Sequence, residues 1–297
     1  MSKQQRDTVN ALMAEAPVEV AGDAAEQRPV FEAMMTAAPL APDVRLTPGE
    51  LGGVPVVAIE IEGAEPAGVA LWLHGGWYAL GSPRASAGLA ADLARRAGVR
   101  VVSVDYRLAP EHPFPAAFDD ARIAYEALLA EGTRPEDVVL VGESAGGGLA
   151  AATVASLPDS GLPQPAGVVL FSPWTDLTLS GESMRAKADL DPAFDPRDVA
   201  VRVADYVGDA DPADPRVSPH FADLRGVAPL LIQVGAREIL LDDAVRLAAH
   251  AAAADVSVTL EVTPDVPHVF QAFAAMLDEG AVALEHAASF ITGHLGR

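Results

Sequence analysis

The sequence predicts an α/β fold, in which helices cover both faces of a mostly parallel sheet. Three observations lead to this prediction. Short, continuously apolar segments alternate with helical segments along most of the chain, as is typical of strands buried on both faces. Hydrophobic residues make up 50% of the 297 residues, enough for a large core. No internal repeat and no low-complexity linker divides the chain.

The predicted elements follow one another in a regular order after a helical N-terminal part. Residues 1 to about 40 carry an apolar helical stripe that includes Val30, Phe31, Met34 and Met35. We predict strands at 54–61, 68–73, 100–104, 138–141, 167–171, 229–234 and 256–262. We predict helices around 89–93, at about 116–130, directly after 144, from about 240, and at the C-terminal end. The strands before residue 68 are candidates for an antiparallel edge of the sheet.

Residues 175–226 break this alternation. They are polar, rich in Pro and Asp, and contain one helix candidate at about 199–207. An insertion of this length within a compact fold is usually a lid or a binding element. We therefore expect residues 1–43 and an insertion at about 177–225 to form a helical cap on a main domain of residues 44–297.

Composition excludes several classes of protein. The formal net charge is -22, and the only lysines are Lys3 and Lys187, so the chain repels phosphate backbones and we expect no nucleic-acid partner. The chain has no cysteine, which excludes disulfides and thiolate zinc sites. The N-terminus is polar, and no apolar stretch approaches the roughly 20 residues that a membrane span needs. We expect a cytoplasmic protein without membrane contact.

The most informative segment is VVLVGESAGGGLAAATVA, residues 138–155. Its residues Gly142 to Gly146 fit the pattern G-x-S-x-G, with Ser144 at the centre. The pattern follows a predicted strand and opens a predicted helix, which is the context of a nucleophilic serine on a strained turn. A glycine-rich turn with a helix-capping serine is the competing interpretation. The strand-turn-helix context favours the nucleophile.

A nucleophilic serine needs backbone N–H groups aimed at the oxygen that becomes negative. Ala145, directly after Ser144, would supply one of them, and a loop after an earlier central strand would supply the others. The segment LWLHGGWYALGS, residues 71–82, ends an apolar strand on His74, Gly75 and Gly76. Glycine lets the backbone approach an acyl carbon closely, so this loop is the candidate.

Three motifs now carry a resemblance to a known family. HGGWYALGS at 74–82, DYRLAPEHPFPAA at 105–117 and GESAGGG at 142–148 resemble the motifs of the hormone-sensitive-lipase-like (bacterial family IV) esterases of the α/β-hydrolase fold. The resemblance spans about residues 44–295, and the middle motif is long and specific. It implies an eight-stranded, mostly parallel sheet with a helical cap. It also implies hydrolysis of carboxylic esters, usually with short to medium acyl chains, and neither a cofactor nor a metal.

One departure from the family concerns the oxyanion loop. The family normally has HGGG, and here Trp77 takes the place of the third glycine. The resemblance assigns the oxyanion donors to the N–H groups of Gly76 and Trp77, and a backbone N–H survives the substitution. A positive φ would be costly for a residue other than glycine. We therefore expect Trp77 either in an ordinary conformation, with its indole lining the pocket, or distorting the hole, and we favour the first. An indole that only fills space beneath the cap is an equal alternative.

The general base that would activate Ser144 is predicted to be His268. In an α/β hydrolase the chain order is Ser, then Asp or Glu, then His. His268 lies in the loop after the last predicted strand, where the family has its catalytic histidine. In the family a phenylalanine follows this histidine, at about the position of Phe270 here. We interpret His74 and His112, which precede the nucleophile, as structural.

The acid is predicted to follow the strand at 229–234. The loop there offers Glu238, Asp242 and Asp243. Aligning Leu240 with the leucine of the family's D-P-L-x-D motif puts Glu238 at the acid position. Glu in place of Asp is a second departure, and its role would be to orient the imidazole. Asp242, one helical turn later, is the alternative.

The sequence thus predicts a serine carboxylesterase that acts on a small-molecule ester through Ser144, His268 and Glu238. A lactone hydrolase with the same groups is the alternative within hydrolases. A catalytically inactive small-ligand receptor, like the plant gibberellin receptors, is the alternative from another class. Those receptors lack the catalytic histidine, whereas this chain keeps His268.

The cap determines the substrate, and the sequence says less about it. Candidates to line the acyl pocket are Met34, Met35 and Tyr206, together with Met184 and Phe194. Ordinary helix packing is the alternative for each of them. The sequence is compatible with a homodimer.

Overall fold

A central sheet of eight strands organises the protein in a computed structural model that describes residues 3–296. The strands are β1 (Val44–Leu51), β2 (Val54–Ile61), β3 (Val69–Leu73), β4 (Arg100–Val104), β5 (Val138–Glu143), β6 (Gly167–Phe171), β7 (Leu230–Gly235) and β8 (Val258–Thr263). Their order across the sheet is β1-β2-β4-β3-β5-β6-β7-β8. The β1–β2 and β2–β4 pairs are antiparallel, and every other neighbouring pair is parallel. The prediction of a mostly parallel sheet with an antiparallel edge is confirmed.

Helices lie on both faces of this sheet. They are α1 (Lys3–Ala14), α2 (Ala24–Met35), α3 (Ala87–Ala97), α4 (Ala116–Ala130), α5 (Ala145–Ser156), α6 (Ser183–Ala186), α7 (Pro196–Val207), α8 (Leu241–Ala253) and α9 (Asp278–His294). Short 3-10 turns lie at Pro135–Asp137, Pro158–Ser160, Pro219–Phe221 and Phe270–Phe273. Within residues 3–296, no helix combines the length and the apolar character needed to cross a bilayer.

The two faces of the sheet explain why the strands are apolar throughout. In β3, Ala70 and Trp72 point to one face and pack with residues of α3 and α9. Leu71 and Leu73 point to the other face and pack with residues of α4, α5 and α8. Because successive side chains of a strand alternate between faces and both faces are covered, no position of β3 reaches solvent. The predicted α/β architecture is confirmed.

Strand β1 is the element that the sequence analysis missed. It lies at the edge of the sheet and pairs only with β2 among the described strands. Most of its residues are exposed, and it contains Pro48 and Gly49. An edge strand tolerates both residues because one side of its backbone has no ladder to complete. It therefore lacks the apolar run by which the inner strands were predicted.

The N-terminal segment and the insertion lie against each other and against the main body. Arg202 in α7 is buried, and its Nε donates to the Val20 carbonyl at 2.7 Å. Arg28 in α2 donates to the Ala79 carbonyl at 2.9 Å and pairs with Glu111 at 2.5 Å. These contacts support one cap made of residues 1–43 and about 177–225, and the division stays a prediction. Residues 1, 2 and 297 of the predicted ranges lie outside the described residues.

Candidate active site

Ser144 occupies a sharp turn between β5 and α5. Its backbone has φ 55° and ψ -122°, a conformation that residues other than glycine rarely adopt. The turn is fixed from the neighbouring strand, because the Ser144 N–H donates to the Phe171 carbonyl at 2.9 Å. The Ser144 carbonyl accepts from the Trp174 N–H at 2.9 Å. The side chain thus stands at the N-terminus of α5, where backbone N–H groups are free of helical partners.

The two glycines of G-x-S-x-G are required by close backbone approach. A Cβ on Gly142 would overlap the backbone of Gly146. A Cβ on Gly146 would overlap the carbonyl oxygens of Leu73 and His74, at the end of β3. A larger residue at either position would push the turn away from the sheet, so the glycines keep Ser144 beside the loop that follows β3.

Glu238 is the acidic residue that contacts the predicted base. It is fully buried after β7, and its Oε2 lies 2.5 Å from His268 Nδ1. Its Oε1 accepts hydrogen bonds from Ser172 Oγ and from the Gly235 N–H, both at 2.7 Å. The contact fixes Nδ1 of the imidazole toward Glu238 and leaves Nε2 as its other functional atom.

The other two acidic candidates have different partners. Asp242 accepts a hydrogen bond from the Ser183 N–H at 2.9 Å and so ties α8 to α6. Asp243 accepts the N–H groups of Thr175 and Asp176 at 2.7 and 2.8 Å. Burial raises the pKa of Asp243 to about 8. Asp242 therefore holds the backbone of the insertion, and Asp243 holds the backbone directly before it.

Ser172, which the sequence analysis missed, links Glu238 to the loop that carries His268. Its Oγ donates to Glu238 and accepts the Val269 N–H at 3.0 Å, directly after His268. Ser172 is fully buried at the carboxyl end of β6, between the strands that precede the nucleophile and the acid. The sequence could have indicated this contact, because Ser172 directly follows a predicted strand. The carboxyl ends of neighbouring parallel strands lie on the same side of the sheet.

The oxyanion loop corrects one expectation. Trp77 has φ 55°, so the expectation of an ordinary backbone conformation was wrong. Tyr78 at φ 60° and Gly76 at φ 115° complete a run of left-handed residues. The loop is held in this form because the Leu80 N–H donates to the Gly76 carbonyl at 2.7 Å. Within residues 3–296, the N–H groups of Gly76 and Trp77 donate no hydrogen bond. Together with the N–H of Ala145, which begins α5, they remain the candidate oxyanion donors.

The indole of Trp77 is held between α2 and the segment directly before α7. It is 8% exposed and makes edge-to-face contacts with Phe31 of α2 and with Phe194, at ring-centroid distances of 5.9 and 5.1 Å. The Phe194 ring also lies 4.7 Å from the His268 ring. A narrow cavity beside Ser144 is lined by Trp77, Ser144, Trp174, Phe194, Val199, Ile239 and Leu240. The indole therefore both lines this cavity and packs against Phe31 and Phe194.

Three predicted substrate contacts do not reach this cavity. Tyr206 is buried, but its ring stacks on Tyr78 at 3.7 Å and so belongs to the packing of α7 on the main body. Met35 is 38% exposed at the end of α2. Met34 packs on the core and does not line the cavity. None of the three lines the cavity beside Ser144, and their assignment to the acyl pocket stays a prediction.

Glu143, also missed by the sequence analysis, joins the turn at Ser144 to the loop after β3. Its Oε1 accepts the Gly75 N–H at 3.1 Å and a hydrogen bond from Ser86 Oγ. Its Oε2 is buried without a hydrogen-bond partner among the described residues. Burial raises the pKa of this carboxyl to about 7. Glu143 thus positions Gly75, next to the candidate oxyanion donors.

His74 supports the same loop from below. Its ring stacks on Tyr106 at 4.1 Å, and the Tyr106 hydroxyl donates to the His74 carbonyl at 2.6 Å. Burial lowers the pKa of His74 to about 4, so the ring is neutral near pH 7. These contacts agree with the structural interpretation of His74.

Comparisons with known proteins agree with the observed fold. The relatives that they identify are named as hydrolases or esterases. A family described as the alpha/beta hydrolase fold matches residues 70–272. An acetyl-hydrolase of Streptomyces hygroscopicus is 43% identical over 221 residues, which is 74% of each chain. An esterase of Acinetobacter venetianus is 39% identical over 89% of this chain and 88% of its own. A crystal structure of an esterase from the bacterial hormone-sensitive lipase family superposes with a TM-score of 0.95 at 40% identity, covering 100% of both chains.

Proposed function

Since the chain belongs to the α/β-hydrolase family, among the esterases of the bacterial hormone-sensitive lipase family, we propose that it is a serine carboxylesterase for short- to medium-chain acyl esters. One observation carries the proposal. The buried Glu238 carboxylate contacts His268 Nδ1 at 2.5 Å, at the sheet edge where Ser144 stands on its strained turn. A buried carboxylate that orients an imidazole is the acid–base pair that serine hydrolases use to activate the hydroxyl, and this pair supports the proposal.

In the proposed first half-reaction, Ser144 Oγ attacks the acyl carbon of the ester and His268 Nε2 takes the hydroxyl proton. Glu238 stays ionised and stabilises the resulting imidazolium. The carbonyl oxygen becomes an oxyanion that the N–H groups of Gly76, Trp77 and Ala145 bind. As the bond to the alcohol breaks, the imidazolium gives its proton to the leaving oxygen, and the acyl group stays on Ser144.

In the proposed second half-reaction, water replaces the alcohol. His268 takes a proton from the water as it attacks the acyl-enzyme carbonyl, and the same three N–H groups bind the second oxyanion. When the bond from the acyl carbon to Ser144 Oγ breaks, His268 returns the proton to Oγ. The products are one carboxylic acid and one alcohol, and the enzyme is regenerated.

The test is hydrolysis of p-nitrophenyl esters from acetate to palmitate by the wild type and by Ser144→Ala. We expect turnover that is greatest for short chains, and a loss of roughly 10⁴-fold or more in kcat for the variant. A lactone series in the same assay examines the alternative substrate. If the folded wild type hydrolyses neither esters nor lactones, the proposal fails and an inactive ligand-binding protein is the conclusion.

A further inference from the structure

A carboxylate of the insertion lies against the loop that carries Glu238. Asp191 is half-buried between α6 and α7, and its Oδ2 accepts the Ile239 N–H at 2.8 Å. Its Oδ1 accepts the N–H groups of Ala193 and Phe194 at 2.9 and 3.1 Å. One carboxylate thus joins two segments of the chain, the insertion and the loop after β7.

The insertion holds both backbone polar groups of Ile239. Its N–H donates to Asp191, and its carbonyl accepts a hydrogen bond from Ser183 Oγ at 2.5 Å, at the start of α6. Ile239 directly follows Glu238 in the chain. These two contacts therefore restrain the backbone from which the Glu238 carboxylate reaches His268.

The same carboxylate is connected to the base through Phe194. The Phe194 ring is buried and lies edge-on to the His268 ring, with 4.7 Å between the ring centroids. Because the Phe194 N–H donates to Asp191, the carboxylate restrains the backbone of the residue that packs on the imidazole. Asp191 is thus linked through one residue to Glu238 and through another to His268.

Asp191 also interacts with this pair through its charge. Burial raises the pKa of Asp191, and the Glu238 carboxylate acts in the same direction. The backbone N–H donors and a positive charge on His268 act in the opposite direction. Because the attraction between two charges is mutual, an ionised Asp191 favours the protonated imidazole.

Three further charged groups surround the imidazole. Glu238 contacts it, and Glu143 interacts with it electrostatically from the turn at Ser144. Arg237 directly precedes Glu238, and its Nε donates to the Leu190 carbonyl at 3.4 Å. All three groups are retained in the variants below, so a difference between a variant and the wild type does not come from their removal.

We propose that Asp191 is a positioning residue of the esterase, whose carboxylate ties the insertion to the backbone of the acid and stabilises the imidazolium that forms during the reaction. This inference rests on the proposed function and adds a residue of the insertion to the groups that serve the reaction. Losing this carboxylate should therefore lower kcat and change the pH dependence of the reaction.

The experiment measures kcat and KM for p-nitrophenyl acetate from pH 5 to 9, at the isosbestic wavelength of p-nitrophenol and its anion. It compares the wild type with three variants. Asp191→Asn removes the charge and one acceptor oxygen. Ser183→Ala removes a contact to Ile239 without changing the charge. Asp189→Asn removes a charge at an exposed position of the same insertion.

For Asp191→Asn we expect kcat to fall by about 10- to 100-fold, because it loses hydrogen bonds to a charged group. KM should change little, since Asp191 does not line the cavity beside Ser144. The acid limb of the kcat/KM profile reports protonation of the base in the free enzyme. Without the nearby negative charge, this limb should move to lower pH by about half a unit or more.

The other two variants separate position from charge. For Ser183→Ala we expect kcat to fall by about 3- to 10-fold, with the acid limb at the wild-type pH. For Asp189→Asn we expect wild-type values of kcat and of the limb. Circular dichroism and thermal unfolding verify folding. The position of the limb does not depend on the active fraction, so partial unfolding cannot imitate a shift.

The outcomes separate this inference from the function on which it rests. A wild-type kcat or a wild-type acid limb in Asp191→Asn overturns the inference and leaves the esterase intact. An equal shift in Asp189→Asn also overturns it, because the effect would then belong to the net charge. A wild-type kcat in Ser183→Ala shows that the restrained backbone of Ile239 does not serve the reaction, and it overturns the inference even if Asp191→Asn does not fold. If the wild type hydrolyses no ester, the proposed function itself fails.

Discussion

At the scale of single residues, strained backbone conformations gather at the candidate site. Trp77, Tyr78, Ser144, Ser172 and Val269 have φ between 46° and 60°. Such conformations destabilise by about 1–3 kcal/mol each, and they persist only where the surrounding structure determines them. Val269 is β-branched, which makes its positive φ especially unfavourable. The strain therefore lies in the loops that carry the predicted nucleophile, oxyanion donors and base.

Ser172 offers the sharpest residue-scale prediction. Ser172→Ala removes the hydrogen bond to Glu238 and leaves the Val269 N–H without its acceptor. A hydrogen bond to a charged group contributes about 1.5–3 kcal/mol, so we expect kcat to fall by about 10- to 100-fold. KM should change little, because Ser172 touches the acid and the loop of the base and does not line the cavity. Steady-state kinetics on p-nitrophenyl acetate give both parameters.

Ser103→Ala is the control for this prediction. Ser103 is also fully buried in the sheet, in β4, but its Oγ has no hydrogen-bond partner among the described residues. We expect wild-type kinetics from it. Equal kcat values for Ser172→Ala and Ser103→Ala would show that Ser172 does not position the acid.

At the scale of elements, one buried cation contributes to the contact of the insertion with the N-terminal segment. Arg202 in α7 is 2% exposed and donates to the carbonyls of Val20 and Gly22 and, at 2.7 Å, to Asp205. Arg202→Met keeps much of the apolar stem and leaves these acceptors unpaired. We expect the free energy of unfolding to fall by about 2–4 kcal/mol, measured by urea denaturation.

Arg197→Met in the same helix is the matched variant. Arg197 is exposed and pairs with Asp195, two residues away, so its removal should leave the urea midpoint unchanged. If both variants unfold at the same urea concentration, Arg202 does not hold α7 to the N-terminal segment.

Several strands and one helix that have a regular apolar pattern in the sequence were predicted with accurate bounds. The strands at 54–61, 100–104 and 167–171 and the helix at 116–130 match β2, β4, β6 and α4 residue for residue. Their apolar periods arise from burial by neighbours on known faces, and so the pattern alone is sufficient. The edge strand β1 has no such period, because solvent covers much of it.

The residues of the candidate site were predictable only where their neighbours in the sequence indicate their role. The turn at Ser144 follows from a strand, two glycines and a helix within a few residues. By contrast, Ser172 meets Glu238 across 66 residues of sequence and Glu143 meets Gly75 across 68. The left-handed backbone at Trp77 was also out of reach, because the loop around it imposes that conformation against the preference of the residue. Such contacts depend on how strands order themselves in the sheet.

At the scale of the whole molecule, buried carboxyl groups make the stability of the fold depend on pH. The formal net charge of -22 makes the folded chain repel itself more strongly as further acids ionise. Glu143 and Asp243 are both buried, and burial raises the pKa of the first to about 7 and of the second to about 8. Pairing with Arg28 lowers the pKa of the exposed Glu111 to about 2. Exposed acids of this kind are ionised above pH 5 in both the folded and the unfolded state. They therefore do not change the slope of stability between pH 5 and 8.

The sign of the pH dependence follows from proton binding. Between pH 4.5, the ordinary value for a glutamic acid, and about 7, the folded state holds a proton on Glu143 that the unfolded state has released. Raising the pH through this window therefore weakens the fold. For Glu143 alone, the loss between pH 5.5 and 7.5 is on the order of 2 kcal/mol, at 1.36 kcal/mol per pH unit.

Urea denaturation of the wild type, Glu143→Gln and Glu131→Gln at pH 5.5, 6.5, 7.5 and 8.5 tests this coupling. Glutamine cannot ionise, so the Glu143→Gln curve should fall less steeply than that of the wild type by the amount above, while Asp243 contributes equally to both. Glu131 is exposed at the end of α4, and its replacement makes the same change of charge without altering the slope. Parallel curves for the wild type and Glu143→Gln would mean that Glu143 is ionised in the folded protein throughout. The acid would then bind the Gly75 N–H with a permanent negative charge beside the proposed oxyanion hole, which would oppose the charge that develops there.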